Sequence, residues 1–278
     1  MNLVLFSPDE LGRPLPRRDP RTIHLCKVLH KKVGDTFDAG VLGGLWGRGR
    51  IVAIANDGSL TVELNLDTAP PPKHPLRIGV AFVRPIQLRR LLRELTSLGL
   101  SHIDILGSDL GEKSYRDTHL LEDGGAREAM IEGLIQSRDT VFPQVEVFVS
   151  LDHWLAMVNK REAPGILRLA PDNVNPALSI GAVPPLQRVV VPNKGADGET
   201  ISGSTTRKDG LSSGGQLPSG DSVLAYVVIG PERGWSSRER LLLDQSGFIR
   251  CSMGERALRT ETAALVAASL ALEKMGVF

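Results

Sequence analysis

The chain has 278 residues, of which 41% are hydrophobic and 23% are charged; this composition indicates a folded protein of about two domains and excludes wholesale disorder. The 33 lysines and arginines nearly balance the 32 aspartates and glutamates, so the net charge is +1, which excludes a histone-like nucleic-acid binder but permits a locally basic surface. The two cysteines, Cys26 and Cys251, are too few for a disulfide framework or a four-cysteine zinc site.

Short β-strands dominate the N-terminal part of the sequence. The pattern predicts strands at residues 1–6, 36–39, 49–55 and 60–64. Apolar side chains at helical spacing predict a short helix over residues 22–31. Several short strands with one helix indicate a small β-barrel domain over residues 1–70. Residues 68–75 contain four prolines, which disfavour helix and sheet, and they are predicted to form a linker.

Strands then alternate with helices to the end of the chain. The predicted strands cover residues 78–83, 102–106, 145–149, 165–170, 189–191, 223–229 and 248–253. The predicted helices cover residues 86–98 and 120–137, and others begin at Asp152, Ser236 and Thr260. This alternation indicates an α/β domain over residues 76–278, with a mostly parallel sheet covered by helices on both faces.

A glycine- and serine-rich segment interrupts this domain. Residues 193–222 contain seven glycines and six serines, with few side chains that could be buried. We therefore expect a flexible insertion that joins two parts of the sheet.

The sequence shows no targeting or membrane signal. The N-terminus turns acidic after six largely apolar residues, whereas a signal peptide has a basic start and a longer apolar run. The longest apolar stretch, residues 262–272, is shorter than the roughly 20 residues of a membrane-spanning helix. We expect a cytoplasmic protein with no membrane partner.

Two glycine-containing loops follow predicted strands near the C-terminus, at residues 230–234 and 254–260. The second loop brings Arg256, Arg259 and Glu261 close together at one strand end. Ligands bind at the strand ends of open α/β sheets, and charged groups often cluster there for that purpose. The loops are therefore predicted to form a cofactor cradle; the alternative is a pair of tight turns without a ligand.

Common nucleotide and metal signatures are missing from the sequence. It contains no G-x-x-x-x-G-K-[ST], no G-x-G-x-x-G that follows a strand, and no H-E-x-x-H. The six histidines are scattered. A P-loop, a Rossmann dehydrogenase and a metal centre are therefore not expected.

Two C-terminal motifs carry a specific resemblance. Ile229-Gly-Pro-Glu-Arg-Gly-Trp-Ser236 and Met253-Gly-Glu-Arg-Ala-Leu-Arg-Thr-Glu-Thr-Ala263 resemble the signature of the bacterial 16S ribosomal RNA uridine N3-methyltransferases, a family of the SPOUT superfamily. His24-Leu-Cys-Lys-Val-Leu-His30 is similar to the family's N-terminal element. The chain departs from the family at Arg233, where Gly is usual, and at Trp235, where Phe or Leu is usual.

The resemblance implies an architecture and partners. It implies a parallel sheet with a C-terminal trefoil knot that binds S-adenosylmethionine, preceded by a PUA-like β-barrel that binds RNA. It also implies a homodimer, for which the apolar helix at residues 262–275 is a candidate contact, and 16S ribosomal RNA or the small ribosomal subunit as the partner.

The resemblance further implies roles for particular residues. Three loops would hold the cofactor, through Leu169, Ala170 and Pro171; through Gly230, Pro231 and Gly234; and through Ser252, Met253, Gly254, Leu258 and Thr260. Arg259 or Arg256 would stabilise negative charge on the uracil carbonyl oxygens. Glu261 would accept the N3 proton, or would only favour the N-terminus of its helix.

Two basic runs flank the predicted linker. Residues 11–32 hold seven lysines and arginines with one acidic residue, and residues 77–93 hold five arginines with none. They predict a surface that follows RNA phosphates; the alternative is a pair of solvated faces. The candidate RNA-binding residues are Arg17, Arg18, Arg21, Lys27, Lys31, Arg84 and Arg89.

Two other functions are also compatible with the sequence. A non-catalytic RNA-binding or ribosome-assembly factor would be favoured if Arg233 obstructed the cofactor. A small-molecule α/β enzyme such as an oxidoreductase would be favoured if a nicotinamide cofactor bound.

Overall fold

The computed structural model of the protein describes residues 3–116, 119–121, 124–160, 165–186 and 223–278. The predicted strand at residues 189–191 and the predicted insertion at residues 193–222 lie outside these ranges. Within the described ranges the chain forms a four-stranded sheet and a seven-stranded sheet, with helices on both faces of the larger one.

The four-stranded sheet contains all four strands predicted for the N-terminal part. Its order is β1-β2-β3-β4, with β1 parallel to β2 and the other pairs antiparallel. The strands are β1 Val4–Phe6, β2 Thr36–Val41, β3 Trp46–Ile54 and β4 Leu60–Thr68. Phe6, Leu25, Phe37 and Ile51 form the centre of its core.

The helix between β1 and β2 differs from the prediction of residues 22–31. Helix α1 spans Pro20–Ile23 and continues as one π-helical turn, His24–Val28. It begins earlier because the Asp19 side chain accepts a hydrogen bond from Arg21 N and Pro20 occupies the first helical position. It ends earlier because His30 has a φ of +52°, which reverses the chain.

The seven-stranded sheet is parallel throughout, as the alternating pattern predicts. The order is β7-β6-β5-β10-β8-β11-β9, so β10 lies between two strands that precede it in the chain. The strands are β5 His74–Ala81, β6 Leu100–Leu106, β7 Gln144–Phe148, β8 Leu167–Pro171, β9 Leu178–Ser179, β10 Ala225–Ile229 and β11 Ile249–Ser252. Strand β5 starts inside the predicted linker because His74 N donates to Gly99 O beside it.

Alternate strand residues face opposite helical layers. The helices of the two layers are α2 Pro85–Ser97, α3 Gly125–Ser137, α4 Leu151–Asn159, α5 Ser237–Gln245 and α6 Thr260–Lys274. On one face of the sheet, Ile78, Val80 and Val227 share a core with α2, α3 and α6. On the other face, Tyr226 and Val228 share a core with α4 and α5. None of the helices in the described part of the chain is long and apolar enough to cross a membrane.

The N-terminal sheet packs against α3. Leu3 and Leu5 share a small core with Leu134 of that helix. Lys73, which precedes β5, and Asp139, which follows α3, form a largely buried ion pair, with 2.6 Å between Nζ and Oδ2. The two sheets are therefore joined by packing as well as by the chain that connects them.

A buried ion pair crosses the larger sheet. Arg77 on β5 donates from Nε to Asp104 Oδ2 on β6 at 2.5 Å, and both side chains are almost fully buried. Trp154 Nε1 of α4 donates to the same carboxylate oxygen at 2.6 Å. Arg77 also contacts Glu146 on β7 at 3.0 Å. This cluster links three strands to a helix.

Candidate active site

A cavity of about 130 Å³ lies at the carboxyl edge of the seven-stranded sheet. Its walls are three segments that follow β8, β10 and β11. This is the edge at which open α/β sheets bind ligands.

The segment after β10 turns sharply along the cavity. Gly234 N donates to Pro231 O at 2.8 Å, and Gly234 has a φ of +73°, a conformation that favours glycine. The Trp235 indole lies so close to Gly230 that a Cβ there would be 3.0 Å from ring atom Cε2. Glycine at position 230 therefore allows the backbone and the indole to share one wall.

The start of α5 holds this segment in place. Ser236 and Glu239 form a capping box, and the Glu239 carboxylate also accepts from Asp109 N at 2.9 Å. Arg238 pairs with Asp109 and with Asp152 of α4, and its hydrogen bonds keep the pKa of both carboxyls below the usual value. The loop after β6 is thus attached to the cavity wall.

The segment after β11 forms a second wall. Met253, Gly254, Arg256 and Leu258 line the cavity, and Gly254 has a φ of +103°. Thr260, at the start of α6, is buried, and its Oγ1 donates to Gly230 O at 3.5 Å. That contact joins the second wall to the first.

The segment after β8 contributes a residue that the sequence analysis did not identify. Asp172 lines the cavity beside Pro171, and its carboxylate accepts from Arg240 Nε of α5 at 2.6 Å. The side chain of Asp172 is only 2% exposed. Its position two residues after the predicted strand at residues 165–170 is the one signal of it in the sequence.

The structure brings together eight of the eleven predicted cofactor-binding residues. The eight that line the cavity are Pro171, Gly230, Pro231, Gly234, Met253, Gly254, Leu258 and Thr260. Leu169 and Ala170 precede this edge and are fully buried in the core. Ser252 is the last residue of β11 and is half-buried beside the lining segment.

The predicted catalytic residues lie around the start of α6. Arg256 lines the cavity. Arg259 is the exposed N-cap residue of α6, and Glu261 is in the first turn. Neither arginine forms an ion pair with a described residue, so both guanidinium groups are available to a ligand.

Arg21, one of the predicted RNA-binding residues, is committed to contacts within the protein. It donates to the carboxylates of Asp19 and Glu10 and to Leu5 O, and it lies over the Phe6 ring. These carboxylates raise its pKa. Arg21 therefore attaches the chain before α1 to β1 and is not a free phosphate-binding group.

The other six predicted RNA-binding residues differ in their surroundings. Arg17, Arg18 and Lys27 are exposed, each without an ion pair to a described residue, and Lys31 is half-buried. Arg84 donates from Nε to Tyr115 Oη at 2.9 Å. Arg89 contacts Glu128 and Glu132 of α3.

Replacing Glu10 with glutamine is expected to destabilise the protein more at neutral pH than in acid. Hydrogen bonds from Arg21 and Ser7 N lower the pKa of Glu10 from 4.5 to about 2. A carboxyl whose pKa falls on folding adds stability above its ordinary pKa and loses that contribution as the pH drops through the folded value. Urea unfolding should therefore show the difference between wild type and Glu10→Gln shrinking from pH 4.5 to about 2. A difference that does not change with pH would contradict this.

Comparison with known proteins associates the fold with one family. The RNA methyltransferase domain model matches residues 70–183 and 203–272. Ribosomal RNA small subunit methyltransferase E of Treponema pallidum is 32% identical over 275 residues, which are 98% of this chain and 91% of that protein. Ribosomal RNA small subunit methyltransferase E 1 of Borreliella burgdorferi is 24% identical, with 99% of both chains covered.

The fold also matches a solved structure. Ribosomal RNA small subunit methyltransferase E from Neisseria gonorrhoeae, bound to S-adenosyl methionine, superposes with a TM-score of 0.65. The match covers 99% of this chain and 98% of that one at 16% identity.

Proposed function

Because the chain belongs to the RNA methyltransferase family, we propose that it transfers a methyl group from S-adenosylmethionine to N3 of a uridine in 16S ribosomal RNA of the small subunit. The observation that carries this proposal is the cavity itself, which two segments of the family's signature line together at the edge of a parallel sheet. The small-subunit substrate follows the names of the Treponema and Borreliella relatives, and uridine N3 follows the resemblance of the two motifs.

The residues of the cavity fit S-adenosylmethionine. Gly230 lets the segment after β10 lie against the Trp235 indole, and Met253 and Leu258 offer apolar surface for an adenine ring. The Neisseria structure of the same fold was solved with this molecule. When bound, S-adenosylmethionine supplies an electrophilic methyl group on a sulfonium.

The protein's own residues would act on the acceptor base. N3 lies on the Watson–Crick edge, so the uridine must be unpaired or flipped to reach the cavity. Arg256, in the cavity wall, and Arg259, beside it, would stabilise the negative charge that develops on the uracil oxygens as N3 loses its proton. Glu261 would accept that proton or would favour the N-terminus of α6 electrostatically.

Mass spectrometry of ribosomal RNA from a deletion strain tests the proposal. We expect one methyluridine of the small subunit to be lost and to return when the wild-type gene is restored. An unchanged set of methylated nucleotides would contradict the proposal and favour a non-catalytic RNA-binding factor. Calorimetry should detect binding of S-adenosylmethionine and no binding of a nicotinamide dinucleotide.

RNA binding is assigned to the N-terminal unit. Neutralising Arg17, Arg18 and Lys27 together is expected to reduce the salt dependence of RNA affinity, because each phosphate contact adds about 0.7–0.9 to the slope of log K against log salt. Three lost contacts would lower the slope by about two to three. The control changes Arg89 and Arg93, which already pair with Glu132, and should leave the slope near wild type. A triple variant with the wild-type slope would place the RNA elsewhere.

The finer architecture is part of the same proposal. Residues 1–70 would form a PUA-like barrel, and residues 76–278 a SPOUT domain with a trefoil knot and an insertion at residues 193–222. The Leu15–Leu60 bridge, which brings the chain before α1 onto the edge strand β4, supports the barrel. The position of β10 between β5 and β8 supports the SPOUT arrangement.

The proposed assembly is a cytoplasmic homodimer. On α6, the alanines face the sheet, whereas Leu265, Val266 and Leu270 remain partly exposed. This apolar face supports a contact through residues 262–275. Light scattering coupled to gel filtration tests the oligomeric state.

A further inference from the structure

We propose that Trp235 binds the methyl donor directly, by donating a hydrogen bond from its indole Nε1 to a polar acceptor of S-adenosylmethionine. This inference rests on the proposed function and adds a named contact to it. The observation behind it is a buried donor in the cavity wall that has no acceptor among the described residues.

A comparison with Trp154 shows that Trp235 is unusual. Both indoles are buried, at 0% and 1% exposure respectively. Trp154 Nε1 donates to Asp104 at 2.6 Å, as buried indoles usually do. Trp235 Nε1 makes no hydrogen bond with the described part of the chain. A buried donor without an acceptor costs stability, so a ligand that supplies an acceptor gains affinity there.

The surroundings of Trp235 place its five-membered ring, which carries the N–H, beside the cavity. A Cβ on Gly230 would lie 3.0 Å from Cε2, 3.1 Å from Cδ2 and 3.2 Å from Nε1, so the ring that carries the N–H packs against a residue that itself lines the cavity. Trp235 also lines the cavity. Because Nε1 is shielded from water in the free protein, the hydrogen bond requires a small shift of residues 230–234 when the ligand enters.

S-adenosylmethionine carries acceptors that suit this donor. Its carboxylate, ribose oxygens and adenine ring nitrogens can all accept from a neutral N–H. Asp172 also lines the cavity, but its carboxylate is held by Arg240 and makes no hydrogen bond with Trp235 Nε1. The ligand is therefore the partner that the cavity offers to Trp235.

Calorimetry with Trp235→Phe tests the proposal, because phenylalanine keeps an aromatic ring and removes the N–H. We expect the Kd for S-adenosylmethionine to rise about five- to tenfold, the effect of one lost hydrogen bond. Trp235→Phe and Trp154→Phe remove the same ring volume, but Trp235→Phe breaks no hydrogen bond within the described part of the chain. The ligand-free Trp235→Phe variant should therefore lose less melting temperature than Trp154→Phe. Trp154→Phe is the matched control, and it should lower the melting temperature while leaving the Kd unchanged.

A second measurement needs no change at Trp235. In a nitrogen–proton correlation spectrum of the wild-type protein, the Trp235 indole signal should move downfield on addition of S-adenosylmethionine, while the Trp154 signal stays in place. Signals are assigned with Trp46→Phe and Trp154→Phe. An unchanged Kd in Trp235→Phe together with an unmoved Trp235 signal would overturn this inference alone. A wild-type protein that does not bind S-adenosylmethionine would instead overturn the proposed function, and this inference with it.

Discussion

Replacing Arg256 with alanine is expected to lower the rate of methyl transfer by about 10²–10³-fold, the usual effect of removing one group that stabilises a developing oxyanion. Arg256 lines the cavity and has no ion-pair partner among the described residues. Loss of the N3 proton puts negative charge on the uracil oxygens, and no other arginine lines the described cavity. Single-turnover transfer of a labelled methyl group to small-subunit RNA measures the rate.

Two further variants test whether the loss of rate is specific to Arg256. Arg259→Ala removes the neighbouring arginine at the start of α6, and the size of its effect relative to Arg256→Ala shows which guanidinium approaches the base. Arg233→Ala removes an exposed arginine of the β10 segment that does not line the cavity, and it should change the rate less than about threefold, or about 0.7 kcal/mol. Wild-type rates in both Arg256→Ala and Arg259→Ala would show that neither residue is catalytic.

Local pattern predicted the strongly periodic elements of the fold, and long-range contacts decided the rest. The leucines of α2 and the continuous apolar run of β10 indicate their structure without any neighbour. The start of β5 at His74 depends on pairing with Gly99 and with β10, which a proline-rich local sequence hides. The position of β10 between β5 and β8 likewise depends on pairing between distant segments.

In the candidate site, too, local sequence predicted some features, and contacts between distant residues decided the others. Glycines after predicted strands located two of its three walls, because their backbone requirements are visible in the sequence. The role of Asp172 was not visible, since its partner Arg240 lies 68 residues away. The contacts of Arg21 were missed because Glu10 lies just before the basic run at residues 11–32. Charge counted along a chain predicts a binding surface only after internal ion pairs are removed.

Replacing Asp104 with alanine is expected to destabilise the protein by about 3–5 kcal/mol, the cost of leaving one partner of a buried ion pair uncompensated. The change leaves the Arg77 guanidinium 1% exposed and without its main carboxylate, and it removes the acceptor of Trp154 Nε1. The remaining partner, Glu146, is 49% exposed and so offers a weaker, solvent-screened contact. Urea unfolding at neutral pH measures the loss.

Arg77→Met should show a different pH dependence from Asp104→Ala. Burial already raises the pKa of Asp104 above 3.8, and without Arg77 the buried carboxyl would take up a proton more readily. A carboxyl whose pKa rises on folding supports stability below its ordinary pKa and loses that support as the pH rises, so Arg77→Met should be most stable, relative to wild type, in acid.

The double variant Arg77→Met with Asp104→Leu separates the charge from the packing. Apolar residues of similar size can replace a buried ion pair with little loss, or with a gain. The double variant should therefore recover most of the stability lost in Asp104→Ala, less the cost of leaving Trp154 Nε1 without its acceptor. A double variant as unstable as the single one would show that the ion pair itself holds β5, β6 and α4 together.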